Sequence, residues 1–129
     1  MTTAREYDYL YTRFSEWVRV QKELDSKTEQ IRAYNVDFIW LKEDTGKWML
    51  LEEKRRMSEP KAGQWAALKR LDTAIHDPDY CGLHLIQFER EYPDDGGRIY
   101  IDKKEITKDE LIKFLRFGKK FTEKDWLDV

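Results

Sequence analysis

The segment KWMLLEEK, residues 47–54, is an apolar run that ends in charged residues. A period of two is typical of a β-strand, and it divides the segment into two faces. One face carries Trp48, Leu50, Glu52 and Lys54, and the other carries Met49, Leu51 and Glu53. The apolar segment at residues 34–42 predicts a second strand, which contains Asp37. The pattern therefore predicts a pair of strands with charged residues at one end.

The residues between these strands, EDTG at positions 43–46, predict a type I turn with Gly46 left-handed, and so a bulged hairpin. Direct counting through this turn sets Asp37 opposite Glu53. A second bulge near the charged end would set Asp37 opposite Glu52 instead, and bulges do occur beside active sites. The sequence leaves both registers open.

The other elements follow from periodicity in the same way. Helical spacing of apolar residues, or a short apolar run typical of a strand, predicts helices at 4–24, 62–75 and 107–117 and strands at 81–89 and 98–101. Thr107 and Glu110 have the spacing of a capping box at the start of the last helix. The resulting order, α-β-β-α-β-β-α, predicts an α/β (α+β) fold in which helices flank a mixed central sheet. The length of 129 residues suits a single domain, residues 1–129.

Composition and charge bear on membrane insertion, on the redox compartment and on binding to nucleic acid. No apolar run approaches the length of about 20 residues that a membrane-spanning helix needs. Cys81 is the one cysteine, so a disulfide within the chain is impossible and we expect a reducing cytoplasm. His84 falls in a predicted strand and is interpreted as structural. The formal net charge of −2 argues against a grip on nucleic acid by the whole surface, although Lys54, Arg55 and Arg56 form a local basic cluster.

Asp37, Glu52 and Lys54 are the residues that indicate chemistry. A divalent cation neutralises a phosphodiester and lowers the pKa of bound water. Mg²⁺ prefers oxygen ligands and usually takes one or two protein carboxylates, which Asp37 and Glu52 would supply. Lys54 lies two residues beyond Glu52 on the same face, where its ammonium would orient the attacking water or stabilise the transition state. The simpler interpretation is a strand that ends in solvent, because charged runs usually mark exposed ends.

Gln64, in the helix after this strand, adds to the pattern. It lies four residues before Leu68 and so heads the apolar stripe formed by Leu68, Leu71 and Ile75. A glutamine there faces inward near the end of the preceding strand, where its amide would hold the lysine, a water or the scissile phosphate. The alternative is a helix-end glutamine in contact with water.

Together these residues resemble a known motif. Asp37, followed fifteen positions later by Glu52-x-Lys54 and then by a helix with Gln64, resembles the pattern of the PD-(D/E)xK nuclease superfamily. The run EEKRRMSEPKAGQWAALKRL is most similar to the small VRR-NUC and Holliday-junction-resolvase-like branches. Val36 stands where the family motif has a proline.

The resemblance covers residues 35–71, with looser support from the flanking residues. It implies a restriction-endonuclease-like core, a Mg²⁺ (or Mn²⁺) cofactor and cleavage of DNA. The implied catalytic set is Asp37, Glu52, Lys54 and Gln64. In that set Asp37 and Glu52 bind the metal, and the backbone carbonyl of Glu53 adds a ligand.

Three further residues have expected roles at such a site. Arg55 and Arg56 follow the catalytic strand, where the DNA backbone would lie; solvated surface charge is the alternative. Related nucleases often supply a further carboxylate from the first helix, and Glu6 is the candidate here. A glutamate in a first turn is also favoured simply by the helix dipole.

The sequence leaves two other functions and one question of assembly open. A non-catalytic module that binds DNA or a protein partner would have the same elements, and so would an ordinary α/β structural domain with a charged strand end. Trp65 and Trp126 do not lie at the centres of their apolar stripes, and exposed large aromatics often mark interfaces. We therefore expect a homodimer, although these side chains also have the option of packing within one chain.

Overall fold

The computed structural model describes residues 12–24, 27 and 30–118. The chain divides into two compact units, residues 1–33 and residues 34–129. The expectation of one nuclease-like domain over residues 1–129 stays a prediction. Within the described ranges, no helix is long and apolar enough to cross a membrane.

The first unit contains a short helix, α1, at Arg13–Arg19. Thr12 caps it, because the Thr12 hydroxyl oxygen accepts a backbone N–H of the first turn at 3.1 Å. A 3-10 helix follows at Lys22–Leu24. The helix predicted for residues 4–24 is therefore interrupted in its described part, and its first turns, which include Glu6, lie outside the described residues.

The described part of the second unit, residues 34–118, contains five strands and two helices. They are β1 (Phe38–Lys42), β2 (Lys47–Lys54), α2 (Ala62–Ala74), β3 (Tyr80–Phe88), β4 (Ile99–Ile101), β5 (Lys104–Ile106) and α3 (Lys108–Leu115). The strands form one sheet in the order β1-β2-β3-β4-β5. β2 and β3 are parallel and are joined through α2, whereas the other neighbouring pairs are antiparallel. The α+β class with a mixed sheet and flanking helices is thus confirmed.

The hydrophobic core lies between the sheet and α3. Its buried members come from the strands, from α3 and from Phe117, which follows α3. They are Met49, Leu51, Ile86, Phe88, Ile99, Ile101, Ile106, Leu111, Phe114 and Phe117. The indole N–H of Trp40 donates to the carbonyl of Leu115 at 2.7 Å and ties β1 to the end of α3. Because side chains alternate along a strand, Leu50 and Glu52, on either side of Leu51 in β2, project from the opposite face of the sheet, towards α2.

The register of the first hairpin corrects the sequence-based count. Gly46 is left-handed as predicted, with φ of +79°, and its N–H donates to the carbonyl of Lys42 at 2.8 Å. The turn nevertheless closes without a bulge, because Lys42 pairs directly with Lys47. Phe38 pairs with Leu51, so the same register continued by one residue sets residue 37 opposite residue 52. The count that set Asp37 opposite Glu53 is therefore wrong, and no second bulge between β1 and β2 is needed.

Other differences from the sequence-based prediction concern short or exposed segments. β5 was not predicted, because it has only three residues and the first two are exposed charged residues, Lys104 and Glu105. The capping box is confirmed: Thr107 Oγ1 accepts the N–H of Glu110 at 3.1 Å, and the Glu110 carboxylate accepts the N–H of Thr107 at 3.0 Å. Leu71 does not continue a buried stripe, since it is 46% exposed.

Candidate functional site

Asp37 and Glu52 meet where β1 begins and β2 nears its end. The Glu52 carboxylate accepts the backbone N–H of Asp37 at 2.7 Å. The Asp37 carboxylate accepts the backbone N–H of Glu53 at 2.8 Å. Residues directly opposed in an antiparallel pair project to the same face of the sheet. The fold therefore brings the two predicted metal-binding carboxylates to one place and one face.

Gln64 joins this pair from the first turn of α2. Its side-chain amide N–H groups donate to the second Glu52 carboxylate oxygen at 3.2 Å and to the carbonyl of Asn35 at 3.1 Å. The prediction that Gln64 faces inward near the end of the preceding strand is confirmed. It contacts the glutamate rather than the lysine, so it fixes the position of one carboxylate.

Burial of Glu52 dominates the electrostatics of the site. Only 1% of Glu52 is exposed, although it is a charged residue type. The pKa of Glu52 is raised to about 7, chiefly by burial and to a smaller extent by the nearby negative charge of Asp37. The hydrogen bond from the Asp37 N–H and the positive charge of Lys54 oppose this increase in the pKa. A carboxyl group that is half protonated near neutral pH is costly to ionise, and a nearby cation would favour its charged form.

Lys54 is half-buried and lies on the same strand face as Glu52. It pairs in register with Gln87 of β3, whose side chain is fully buried. The Gln87 amide N–H donates to the carbonyl of Ser58 at 3.0 Å, whereas its Oε1 has no hydrogen-bond donor within the described part of the chain. A buried acceptor without a donor costs about 1–3 kcal/mol. The Lys54 ammonium, on a strand about 4.8 Å away, is the kind of donor that this oxygen lacks.

The segment after β2 has an unusual backbone. Arg56 and Met57 are both left-handed, with φ of +54° and +55°, a conformation that costs about 1–2 kcal/mol for a residue with a side chain. Their N–H groups donate to the carbonyls of Arg90 and Phe88 at 2.8 Å and 2.9 Å, which holds the strained turn against the end of β3. Backbone strain of this kind clusters at functional sites.

The predicted DNA-contacting residues lie in this turn but already have an acidic partner. Arg56 contacts the Glu91 carboxylate at 2.7 Å, and Arg55 contacts it at 3.5 Å. Both arginines are exposed. Exposed ion pairs of this type are worth little, with a typical value of about 0–1 kcal/mol, so a phosphate would compete with Glu91 for either guanidinium.

Of the remaining residues named from the sequence, some are described by the structure and others are not. Glu53 lies on β2 between Glu52 and Lys54, and its side chain takes the face opposite to theirs. Glu6 and Trp126 lie outside the described residues. The interpretation of His84 as structural agrees with its burial, since only 2% of it is exposed. Its two ring nitrogens lie 2.7 Å from the Asp102 carboxylate and 2.7 Å from the carbonyl of Cys81.

The donor set at Asp37 and Glu52 suits a hard divalent cation. Among the described residues, no three or more His, Cys, Asp and Glu side chains are grouped for metal binding. Mg²⁺ needs only one or two carboxylates and keeps several waters. Two carboxylates on one face, one of them with a raised pKa, fit a cation that would relieve their repulsion.

Gln87 and Asn35 are members of this site that sequence reasoning missed. Gln87 has a signal in the sequence, because it is the one amide in the apolar strand YCGLHLIQF and shares a face with Leu83 and Leu85. Its relation to Lys54 depends on the parallel pairing of β2 and β3, which alternation along one strand does not reveal. Asn35 contributes a backbone carbonyl, which no residue pattern predicts.

Comparisons of the chain with protein-family models, with curated proteins and with solved structures found no match. The resemblance to the PD-(D/E)xK superfamily therefore stays a prediction that depends on the residues named above. The restriction-endonuclease-like core is likewise a proposal, and the α+β fold with a mixed sheet is the observation.

Proposed function

We propose that this chain is a Mg²⁺-dependent deoxyribonuclease that hydrolyses DNA phosphodiester bonds at a PD-(D/E)xK-like site. One observation carries the proposal: a buried glutamate, Glu52, and an aspartate, Asp37, converge near the end of β2. The Glu52 carboxylate accepts the N–H of Asp37, and the Asp37 carboxylate accepts the N–H of Glu53. Burial makes the Glu52 carboxylate costly to ionise even with its hydrogen bonds, as its pKa of about 7 indicates, and a bound cation would offset that cost. The PD-(D/E)xK resemblance implies such a cation.

The position of the pair in the sheet supports the proposal. In open sheets with parallel strands, ligands bind beyond the carboxyl ends of those strands. Lys54 ends β2, which is one of the two parallel strands, and Glu52 precedes it by two residues. Asp37 reaches the same edge because β1 is antiparallel to β2 and begins there. A phosphodiester at this edge would meet both carboxylates and the lysine.

Each residue has a chemical role in this proposal. Asp37 and Glu52 would hold the Mg²⁺ or Mn²⁺, with the carbonyl of Glu53 as a further ligand. A divalent ion there supplies neutralisation of the phosphate and a bound water of lowered pKa. Lys54 places a positive charge where negative charge develops on the phosphate, or orients the attacking water. Gln64 keeps the Glu52 carboxylate in position through its hydrogen bond.

A non-catalytic binding module is the second candidate, and one observation favours it. Arg55 and Arg56 are partly neutralised by Glu91, and the chain carries a net charge of −2. A protein that grips duplex DNA generally presents a row of free cations to the phosphates. A module that binds a protein partner, or binds DNA weakly without cutting it, would not need that row. The proposed setting of either function is the cytoplasm, since the single Cys81 suits a reducing compartment.

Cleavage of labelled DNA tests the proposal. Wild-type protein is compared with Lys54→Ala on single-stranded, duplex and branched DNA, each with Mg²⁺, with Mn²⁺ and with EDTA. We expect metal-dependent cleavage that Lys54→Ala reduces by about 100-fold or more, in line with the loss of a group that stabilises developing charge. Lys47→Ala is the matched control, because Lys47 is exposed at the other end of the same strand, and it should keep nearly full activity.

Two results would contradict the nuclease. One is the absence of metal-dependent cleavage of every DNA by folded wild-type protein, with a mobility shift selecting the binding module. The other is cleavage that Lys54→Ala leaves unchanged, which would place the activity at another site.

A further inference from the structure

A cavity of about 500 Å³ lies beside helix α2. Its volume is within the range of roughly 300–1,000 Å³ that is typical of small-molecule sites. Trp65 lines it together with small or apolar residues and with charged ones: Pro60, Ala62, Ala66, Leu85, Glu59, Lys69, Asp102 and Lys103. The cavity thus offers a ligand one large aromatic side chain beside both apolar and charged neighbours.

The cavity and the carboxylate pair are connected through two elements, β3 and α2, although Asp37, Glu52 and Gln64 do not line the cavity. Leu85 on β3 pairs in register with Glu52 on β2, and neighbouring strands are about 4.8 Å apart. Trp65 directly follows Gln64, whose amide holds Glu52. A group bound against Trp65 would therefore lie on the same side of the sheet as the carboxylate pair.

The charges around the cavity favour an anionic ligand at one point. Glu59 is bonded to Lys103. Asp102 accepts hydrogen bonds from the His84 ring and from the N–H of Leu85, so its charge is also engaged. Lys69 lines the same cavity and forms no ion pair with another described residue. A ligand would thus meet an indole face and one available ammonium.

We propose that this cavity binds one unpaired nucleotide of a DNA strand, with its base stacked on Trp65 and its phosphate close to Lys69. This inference rests on the proposed nuclease function, because the same DNA strand would have to run from the cavity to the carboxylate pair to be cut there. Stacking of bases on aromatic side chains is the main way in which proteins hold single strands. A base inside a duplex is stacked on both sides and has no free face to offer. The substrate class is therefore DNA with an unpaired segment at the cut, such as a single strand, a flap or a frayed end.

Binding to a labelled single-stranded oligodeoxynucleotide, compared with a duplex of the same sequence, tests the inference. The full-length chain carries Glu52→Gln, so that cleavage does not interfere, and fluorescence anisotropy reports the affinity. We expect tighter binding of the single strand, and we expect Trp65→Ala to weaken it by about 5- to 150-fold, the range that stacking of one base covers. Trp65→Phe keeps an aromatic face and should keep most of the affinity.

Two further variants separate the cavity from general effects on folding. Ala66→Leu narrows the cavity while Trp65 stays in place, and it should weaken single-strand binding. Lys69→Ala should weaken binding and reduce its salt dependence, whereas Lys113→Ala, the same change on α3 across the sheet, should do neither. Melting temperatures of all variants identify any that fail to fold.

The possible outcomes distinguish this inference from the nuclease itself. Unchanged single-strand affinity in folded Trp65→Ala and Ala66→Leu overturns the inference, as does preference for the duplex. If wild-type protein and Trp65→Ala cleave DNA equally well with metal, the nuclease proposal is supported and the nucleotide-binding cavity is rejected. Single-strand binding that depends on Trp65, without cleavage by the wild-type chain in any metal, would support the cavity and reject the nuclease.

Discussion

Replacing Glu52 with glutamine should change stability in a way that depends on pH. The ordinary pKa of a glutamate is 4.5, and burial raises that of Glu52 to about 7 in the folded protein. Between these values the unfolded chain releases its proton while the folded chain keeps it. Wild-type stability therefore falls as pH rises through this window, because the folded state holds the extra proton. Glu52→Gln carries no such proton and escapes the loss.

The size of the effect follows from the same two pKa values. A change from 4.5 to about 7 corresponds to about 3 kcal/mol of unfolding free energy at a pH well above both. Glutamine also brings an amide N–H group close to the amide of Gln64, which now donates to Glu52, and two facing donors cost about 1 kcal/mol. We expect Glu52→Gln to be slightly less stable than wild type near pH 4.5 and more stable by about 2 kcal/mol near pH 8.

Urea unfolding in EDTA across this pH range measures the difference between the two proteins. Ionisable groups that are common to wild type and Glu52→Gln contribute equally to both free energies of unfolding and cancel in the difference. Glu43→Gln is the matched control, because Glu43 lies in the exposed hairpin turn, and its difference from wild type should be flat within about 0.5 kcal/mol. A Glu52→Gln difference that is equally flat, or a variant that loses stability as pH rises, would refute the burial argument and with it the electrostatic support for a cation site.

Three further predictions concern the helices and assembly. Gln64→Ala should lower the unfolding free energy by about 1–2 kcal/mol in urea, because it removes the donor that holds Glu52; no loss would show that this contact is not maintained in solution. Thr107→Ala should cost about 1 kcal/mol by removing the cap of α3, and Thr107→Ser should restore it; equal losses in both variants would exclude the hydroxyl as the cause. A homodimer should sediment with twice the chain mass at micromolar concentration, whereas a monomer mass throughout would exclude a stable pair.

The placement of Glu52 and Lys54 on one face could be predicted from sequence because it depends on a local rule. Alternation along β2 is enough to set it, and the same is true of the inward position of Gln64 in the first turn of α2. The left-handed Gly46 and the capping box at Thr107 were also predictable, because a turn or cap is specified by a few adjacent residues.

The hairpin register could not be predicted, because it depends on how many residues the turn encloses. The same EDTG sequence is compatible with a bulged turn and with the closed four-residue turn that pairs Lys42 with Lys47. One residue of difference decides whether Asp37 lies opposite Glu52 or Glu53. Contacts between segments that are distant in the sequence could not be predicted either. Examples are the pairing of Gln87 with Lys54 and the ion pair of Glu91 with Arg56.

Exposure within α2 shows the same limit in a different form. Helical periodicity groups Leu68 and Leu71 on one stripe, but the sheet buries Leu68 and leaves Leu71 46% exposed. Periodicity gives the direction in which a side chain points relative to its own helix. The element that covers it is set by tertiary packing, which the sequence of the helix does not contain.

The claim that Asp37 and Glu52 share one divalent cation is tested most directly by calorimetric titration with Mn²⁺. We predict that the wild-type chain binds Mn²⁺ at a single site, that its melting temperature rises with Mn²⁺ by mass action, and that Asp37→Asn and Glu52→Gln each abolish both effects. Asp44→Asn, in the exposed hairpin turn, is the control that should bind normally. Mn²⁺ binding of unchanged affinity in Asp37→Asn would place the cation elsewhere and contradict the proposed site.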